Sequence, residues 1–262
     1  MNENLTVGSF NVRVPCDPEP NDWPNRKVRL VKDLARLQYD IFGAQEAVPM
    51  QIADIEAAGY ARLGHGRNQD LSGEASPVFY RADRFEPREN KTIWLSETPD
   101  VFSIDYESTL PRIATYVLFR DRRTGREFLF ANVHLQHQKI IECRAKQITV
   151  LLKHLEKYLA GGVPVILTGD FNAPPDEPAY QLTAERLHDA SKISQTPPAL
   201  AEGRTFHGYK PVRPETSRNL PIDYIFVSDQ VTVLSYESVN NFDAAGLASS
   251  DHYPQKALIR LG

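Results

Sequence analysis

The chain has 262 residues, 41% hydrophobic and 24% charged, with a formal net charge of −4. This is ordinary globular composition, which excludes a fibrous or disordered chain, and the acidic balance counts against gripping long nucleic acid chiefly by charge. Its two cysteines, Cys16 and Cys143, make neither a CxxC pair nor a disulfide framework, and no apolar run approaches membrane-spanning length. A soluble protein of a reducing compartment, the cytoplasm, is the expectation; no membrane contact is expected and no protein partner can be inferred.

In chain order, "LTVGSFNVRV" predicts a strand reaching Asn11. Val28, Val31, Leu34 and Leu37 recur at helical spacing and predict a helix over 26–37. "YDIFGAQE" reads as a short buried strand ending on an acid, Glu46, and "SPVFYR" as another strand. "RIATYVLFRDRRTGREFLFANVHL" predicts a hairpin, two apolar strands around the turn "DRRTG". Ile141, Ala145, Ile148, Leu152, Leu155 and Leu159 step along one face of a long helix, stopped by Gly161 and Gly162. The strands "VPVILTG", "PIDYIFVS", "VTVLSYESV" and "YPQKALIRL" follow, with polar residues 196–220 forming a long loop. Hairpins interleaved with helices predict an α/β fold with mixed sheets. No repeat or Gly/Ser-rich linker divides the sequence, so residues 1–262 are expected to form one catalytic domain.

Chemistry gathers where these strands end. The boundaries carry Asn11, Glu46, His134, Asp170 with Asn172, Asp223, and the adjacent Asp251 and His252. One Asn or Asp at a strand end is ordinarily a turn former, and a lone histidine is ordinarily structural. Six boundaries of the same kind differ from a set of independent turn formers, which would include more Gly and Ser. Carboxylate and amide oxygens are the hard donors that Mg²⁺ or Mn²⁺ prefers, and histidines paired with carboxylates move protons near neutral pH. The sequence has no GxSxG elbow, Walker sequence, GxGxxG or HExxH. Metal-assisted attack of water on a phosphate ester remains.

The ordered set "FNVR", "QE", "NVHLQH", "GDFN", "IDYIF" and "SSDHYP" resembles the endonuclease/exonuclease/phosphatase superfamily, from Asn11 to Pro254. Within it, "GEASPVFYRADRF", "WLSETPD", "PRIATYV" and "TFHGY" resemble a bacterial branch. The resemblance implies a four-layered α/β sandwich, two packed mixed sheets flanked by helices, with the site at one edge. It implies Glu46 as the principal metal ligand, Asn11 beside it touching metal or phosphate, and Asp251 completing the metal environment. Asp170 would orient or deprotonate the attacking water, and Asn172 would hold that water or a phosphate oxygen. His252, held by Asp223, would stabilise charge on the phosphate, and His134 would donate to it or assist the leaving group. Glu74 stands where relatives pair a glutamate with that histidine, and Arg112 where they contact phosphate. His207, in the long loop, is a candidate pocket residue. Gln136, in His134-Leu135-Gln136-His137, stands where many relatives carry Asp and brings no negative charge.

These features point to a Mg²⁺- or Mn²⁺-dependent phosphoesterase acting on a phosphate mono- or diester. A small molecule or sugar phosphate is the favoured substrate, because a nuclease would need basic loops. The candidate clusters, Arg122 to Arg126 and Arg213 with Arg218, are modest. A nuclease is the alternative. A silent binding module on the same fold is remote, having no physical need for the whole acidic set.

Overall fold

The computed structural model describes residues 3–138, 140–200, 203–212 and 220–262. The first part of the chain runs β1 (Asn4–Asn11), α1 (Trp23–Leu37), β2 (Ile41–Gln45), α2 (Pro49–Ala57), β3 (Ala61–Leu63) and β4 (Val78–Tyr80). It continues through β5 (Phe85–Trp94), β6 (Ile113–Asp121), β7 (Glu127–His134), α3 (Ile141–Ala160), β8 (Val165–Asp170) and α4 (Pro178–Ala184). The last elements are β9 (His188–Asp189), α5 (Ala190–Ile193), β10 (Asp223–Val227), β11 (Val231–Ser238) and β12 (Gln255–Leu261).

Two six-stranded sheets result, ordered β11-β12-β1-β2-β4-β3 and β5-β6-β7-β8-β10-β9. Each contains one parallel pair, β1 with β2 and β7 with β8, joined by a crossover through α1 or α3. The other pairings are antiparallel. The fold is therefore the expected α/β sandwich of two mixed sheets flanked by helices.

Side-chain alternation along the strands divides the core into three layers. Phe128 and Phe130 of β7, Ile166 of β8 and Ile225 of β10 meet Leu5, Val7 and Ile41 between the sheets. Leu129, Ala131, Val165 and Leu167 face the opposite way, onto Ile148, Leu151 and Leu155 of α3. Phe10, Phe42 and Ala44 pack on Leu30, Leu34 and Leu37 of α1. Pro24 lies in the first turn of α1, and its end is closed by Gln38, whose N–H donates to the Leu34 carbonyl at φ 51°. Truncating a leucine at a fully buried position such as Leu155 would cost about 2–5 kcal/mol.

The same alternation turns polar at one end of the inter-sheet layer. Ser9, Gln45, Asn132 and Thr168 replace the phenylalanines there, and Gln45 Nε2 donates to Asn132 Oδ1 at 2.6 Å. Gly43 makes this network possible, since a Cβ on it would lie 2.3 Å from both Asn132 Oδ1 and Thr168 Oγ1. Asn11, His134, Asp170 and Asp223 continue the inward-facing parity of these strands. A ligand site at the carboxyl ends of parallel strands follows from such topology.

Several elements leave no mark in the sequence pattern. The middle of β5, "EPREN", is exposed along an outer strand and lacks an alternating apolar face. Helix α2 has only 9 residues. The "DRRTG" turn joins β6 to β7 at the end remote from His134, about 20 Å along β7. Arg122 to Arg126 therefore lie away from the polar end, while Arg213 and Arg218 fall outside the described residues. Cys16 and Cys143 are both free, and Cys143 is buried.

Candidate active site

The strand ends converge on a cavity of about 380 Å³, within the size range of small-ligand pockets. Glu46, Asp170, Asn172, His134, Asp251 and His252 line it, and Glu74, Arg67, Arg112 and His137 also contribute. Register explains part of the convergence, because His134 and Asp223 are the direct cross-strand partners of Asp170 on either side. Backbone geometry explains more. Arg13, Glu46 and Asn172 lie within two residues of their strand ends with φ of 56°, 60° and 49°. A non-glycine residue in this region costs about 1–3 kcal/mol, strain that is characteristic of functional loops.

Asn11 links the two sheets. Its amide nitrogen donates to Glu46 Oε1 at 3.0 Å and to Asp170 Oδ2 at 2.9 Å, while its oxygen accepts from Arg13 N at 2.9 Å. Asn11, expected beside Glu46, is thus bonded directly to it and to Asp170. Glu46 Oε2 accepts from Val14 N at 2.9 Å. Burial opposes the charge on Glu46, but the Val14 and Asn11 donors outweigh it and hold its pKa below the usual value.

Asp170 is fully buried, and burial together with the nearby Asp223 charge pushes its pKa up. Its Oδ1 accepts from Asn172 N at 2.9 Å, and its Oδ2 lies 3.6 Å from His134 Nε2 and 3.8 Å from His252 Nε2. His252 Nδ1 is 2.8 Å from Asp223 Oδ2. Burial disfavours an imidazolium there, yet the Asp223 carboxylate overcomes it and raises the pKa of His252 to about 10. His134 shows the opposite balance, with burial and then Arg112 lowering its pKa well below the usual value. His134 is therefore neutral, and its Nε2 accepts from the Asn172 amide at 3.1 Å.

Among the described residues two acidic clusters could hold a cation: Glu46, His134 and Asp170, and Asp170, Asp223 and His252, each with donor atoms within 4.8 Å of one another. The second already contains its own cation, the His252 imidazolium. The first offers two carboxylates and a neutral imidazole, a donor set that suits a divalent metal. Asp251 belongs to neither. It lines the cavity, and its Oδ2 lies 3.6 Å from Arg13 Nε.

Two expectations change. Glu74 gives both oxygens to Arg67, at 2.7 and 3.0 Å, and no hydrogen bond joins it to His134 among the described residues. A planar guanidinium matches both carboxylate oxygens at once, which one imidazole cannot do. His207 does not reach the cavity. Its ring packs against Phe242 and Tyr253, with centroids 4.5 and 4.4 Å away, and its exposed neighbour Phe206 lines the pocket instead. Phe206 forms a β-bridge with His252, and alternation sends the next side chain to the opposite face.

Arg112 is 5% exposed and lines the cavity. Burial, and then repulsion from Arg67, lowers its pKa to about 10. Arg13, Arg67 and Phe206 are cavity residues that the sequence pattern does not single out. Arg13 lies inside the quoted "FNVR", whereas Arg67 sits in a loop with no distinguishing pattern. Trp23 and Trp94 are buried and do not line the cavity.

Comparison with known proteins finds relatives in sequence and in fold. A sequence model described as the endonuclease/exonuclease/phosphatase family matches residues 8–252. A solved mannosyl-6-phosphatase from Bacteroides thetaiotaomicron VPI-5482 is 32% identical, with a TM-score of 0.87 over 97% of this chain and 99% of that one. An endonuclease/exonuclease/phosphatase from Bacteroides vulgatus is 31% identical, with a TM-score of 0.90 over 99% of both chains. Among curated relatives, Nocturnin of Drosophila melanogaster is 26% identical over 189 residues, which are 67% of this chain. The carbon catabolite repressor protein 4 homolog 3 of Arabidopsis thaliana is 28% identical over 182 residues, 66% of this chain. The chain spans only 28% and 39% of those two proteins' lengths.

Proposed function

We propose, since the chain belongs to the endonuclease/exonuclease/phosphatase family, that it is a divalent-metal-dependent hydrolase of phosphate mono- or diesters. Its substrate is a sugar phosphate or a comparable small molecule. The observation that carries this reading is the convergence of Glu46, His134 and Asp170, with donor atoms within 4.8 Å, beside an imidazolium fixed by Asp223. Glu46, Asp170 and His134 would hold the cation, Mg²⁺ or Mn²⁺, which when bound lowers the cost of negative charge on the phosphate oxygens.

The protein's own groups divide the remaining work. Asp170 orients the attacking water and takes its proton, a role supported by its place between the two imidazoles, 3.6 Å from His134 Nε2 and 3.8 Å from His252 Nε2. Asn172, whose N–H fixes Asp170 Oδ1, keeps that carboxylate oriented. The dyad of His252 and Asp223 presents a positively charged donor to a phosphate oxygen, with Asp223 holding the ring. Arg112 provides a second cationic contact to the phosphate, supported by its position in the cavity wall. The small-molecule reading is supported by the cavity volume, by the mannosyl-6-phosphatase relative, and by the distance of the Arg122 to Arg126 turn from the cavity. Two free cysteines accord with the cytoplasm. Among the described residues, no helix is long and apolar enough to cross a membrane.

The test assays mannose 6-phosphate and other sugar phosphates beside plasmid DNA and single-stranded RNA, with Mg²⁺ and with Mn²⁺. Metal-dependent release of phosphate from a sugar phosphate, abolished by chelator, is expected. Cleavage of the polymers with inert sugar phosphates would overturn the substrate reading.

A further inference from the structure

Three buried arginines away from the basic side of the cavity show how this fold satisfies a guanidinium. Arg26 is wholly buried and donates to five backbone carbonyls, those of Val12, Arg13, Val14, Asn21 and Ser249, at 2.7–3.2 Å. Arg84 is paired with Asp40 and Asp121, and Arg144 with Glu177. Arg112 is different. It has no carboxylate within salt-bridge distance among the described residues, and both of its hydrogen bonds leave from Nη2. One is a long contact of 3.4 Å to the amide oxygen of Gln136, and the other reaches His137 Nδ1 at 2.9 Å. Its Nε is buried without a partner.

A buried charge left this incomplete is costly unless something else completes it. The neighbouring Arg67 is already engaged by Glu74, so Arg112 holds the uncommitted charge on this wall. Because His137 Nδ1 accepts from Arg112, the imidazole is neutral and carries its proton on Nε2. The wall therefore combines a cation with a further donor, facing a cavity whose other side is acidic. A phosphomonoester has three terminal oxygens and up to two negative charges, whereas a diester has two such oxygens and one charge. The additional oxygen and charge are what this wall can receive.

We infer that Arg112, with His137 bonded to it, selects phosphomonoesters over phosphodiesters, and that the neutral Gln136 permits this by leaving the guanidinium uncancelled. The inference rests on the phosphoesterase reading and narrows it to one substrate class. Gln136 acts through Arg112 and is a positioning residue. Its Oε1 also accepts from His137 N at 3.1 Å.

The experiment compares kcat/KM for p-nitrophenyl phosphate and bis-p-nitrophenyl phosphate, with Mn²⁺, in the full chain and two variants. Gln136→Glu is isosteric and keeps both acceptor contacts, while the Thr109 hydroxyl, now 3.5 Å from Gln136 Nε2, can turn to donate. It places a carboxylate on Arg112 and is expected to lower the monoester value about tenfold while holding the diester value within about twofold. Arg112→Met is expected to lower the monoester value about a hundredfold and the diester value less than about fivefold. A structural defect would lower both esters together, so the ratio separates lost selectivity from lost folding. Equal losses on both esters in a variant whose circular dichroism and urea midpoint match the unaltered protein, or a ratio unmoved by either variant, would overturn the inference while leaving the phosphoesterase reading intact. Inactivity of the unaltered protein on both esters would remove that reading and the inference with it.

Discussion

The acidic and basic sides of the cavity are built from different kinds of segment. Asp170, Asp223 and His134 sit in strands, and Glu46 lies one residue beyond β2, so sheet register fixes where they stand. Arg67 and His137 sit in loops and Arg112 stands one residue before β6, and the three side chains are held by side-chain contacts, Glu74 on one and each other on the rest. Rigid elements hold reactive groups more closely than loops do, whereas loops can change without disturbing the sheets. On the proposed reading, the acidic side carries the chemistry common to all esters and the basic side carries the choice among them.

The strongest test of that division is Asp170→Asn, expected to lower kcat by about 10³-fold on monoester and diester alike. A loss confined to one ester would break the distinction between the two sides. Asp223→Asn comes next, with an expected fall of about 10²-fold that deepens as pH rises from about 5.5 to about 8. The sign follows from burial, which alone would lower the pKa of His252 once the carboxylate is gone, so the imidazolium disappears as pH rises. Steady-state pH profiles of the variant and the unaltered protein check it. Glu46→Gln should weaken Mn²⁺ binding by more than about tenfold in a calorimetric titration, independently of any substrate.

The smallest effect concerns His207, whose buried ring contrasts with the charged His252. Burial lowers its pKa from 6.5 to about 3, so unfolded chains take up a proton there that the folded protein refuses. The stability it contributes is complete above about pH 6.5 and is lost as pH falls toward 3. Between pH 7 and pH 5, the unaltered protein should lose about 2 kcal/mol more than His207→Gln, measured by urea unfolding at each pH. Identical slopes would show that this imidazole titrates freely in the fold.

The difference between the two sides also decides what the amino-acid sequence alone reveals. Strand-end acids are legible because a short apolar run ending in Asp or Glu is hard to attribute to turn formation once it recurs. The inward parity of Asn11, Asp170 and Asp223 is implicit in the alternation of their strands. Arg67 is not legible, since one arginine in a polar loop carries no periodicity. Glu74 can be given a place but not its partner, because the partner lies seven residues away across a loop turn. His207 fails for a third reason: adjacent residues in an extended segment face opposite ways, and only the bridge to His252 reveals that Phe206 takes the cavity side. Asp251 lines the cavity, but its nearest cation is Arg13, a pairing no spacing rule predicts.

The bond from Asn11 to Asp170 crosses from one sheet to the other, and so does the pairing of Gln45 with Asn132 beneath it. On the proposed reading, neither half of the sandwich owns a working centre. A partly unfolded molecule that retained every strand ladder but let the halves slide would already be inert. Turnover in mild denaturant should therefore report the docking of the halves, failing before circular dichroism registers any loss of strand.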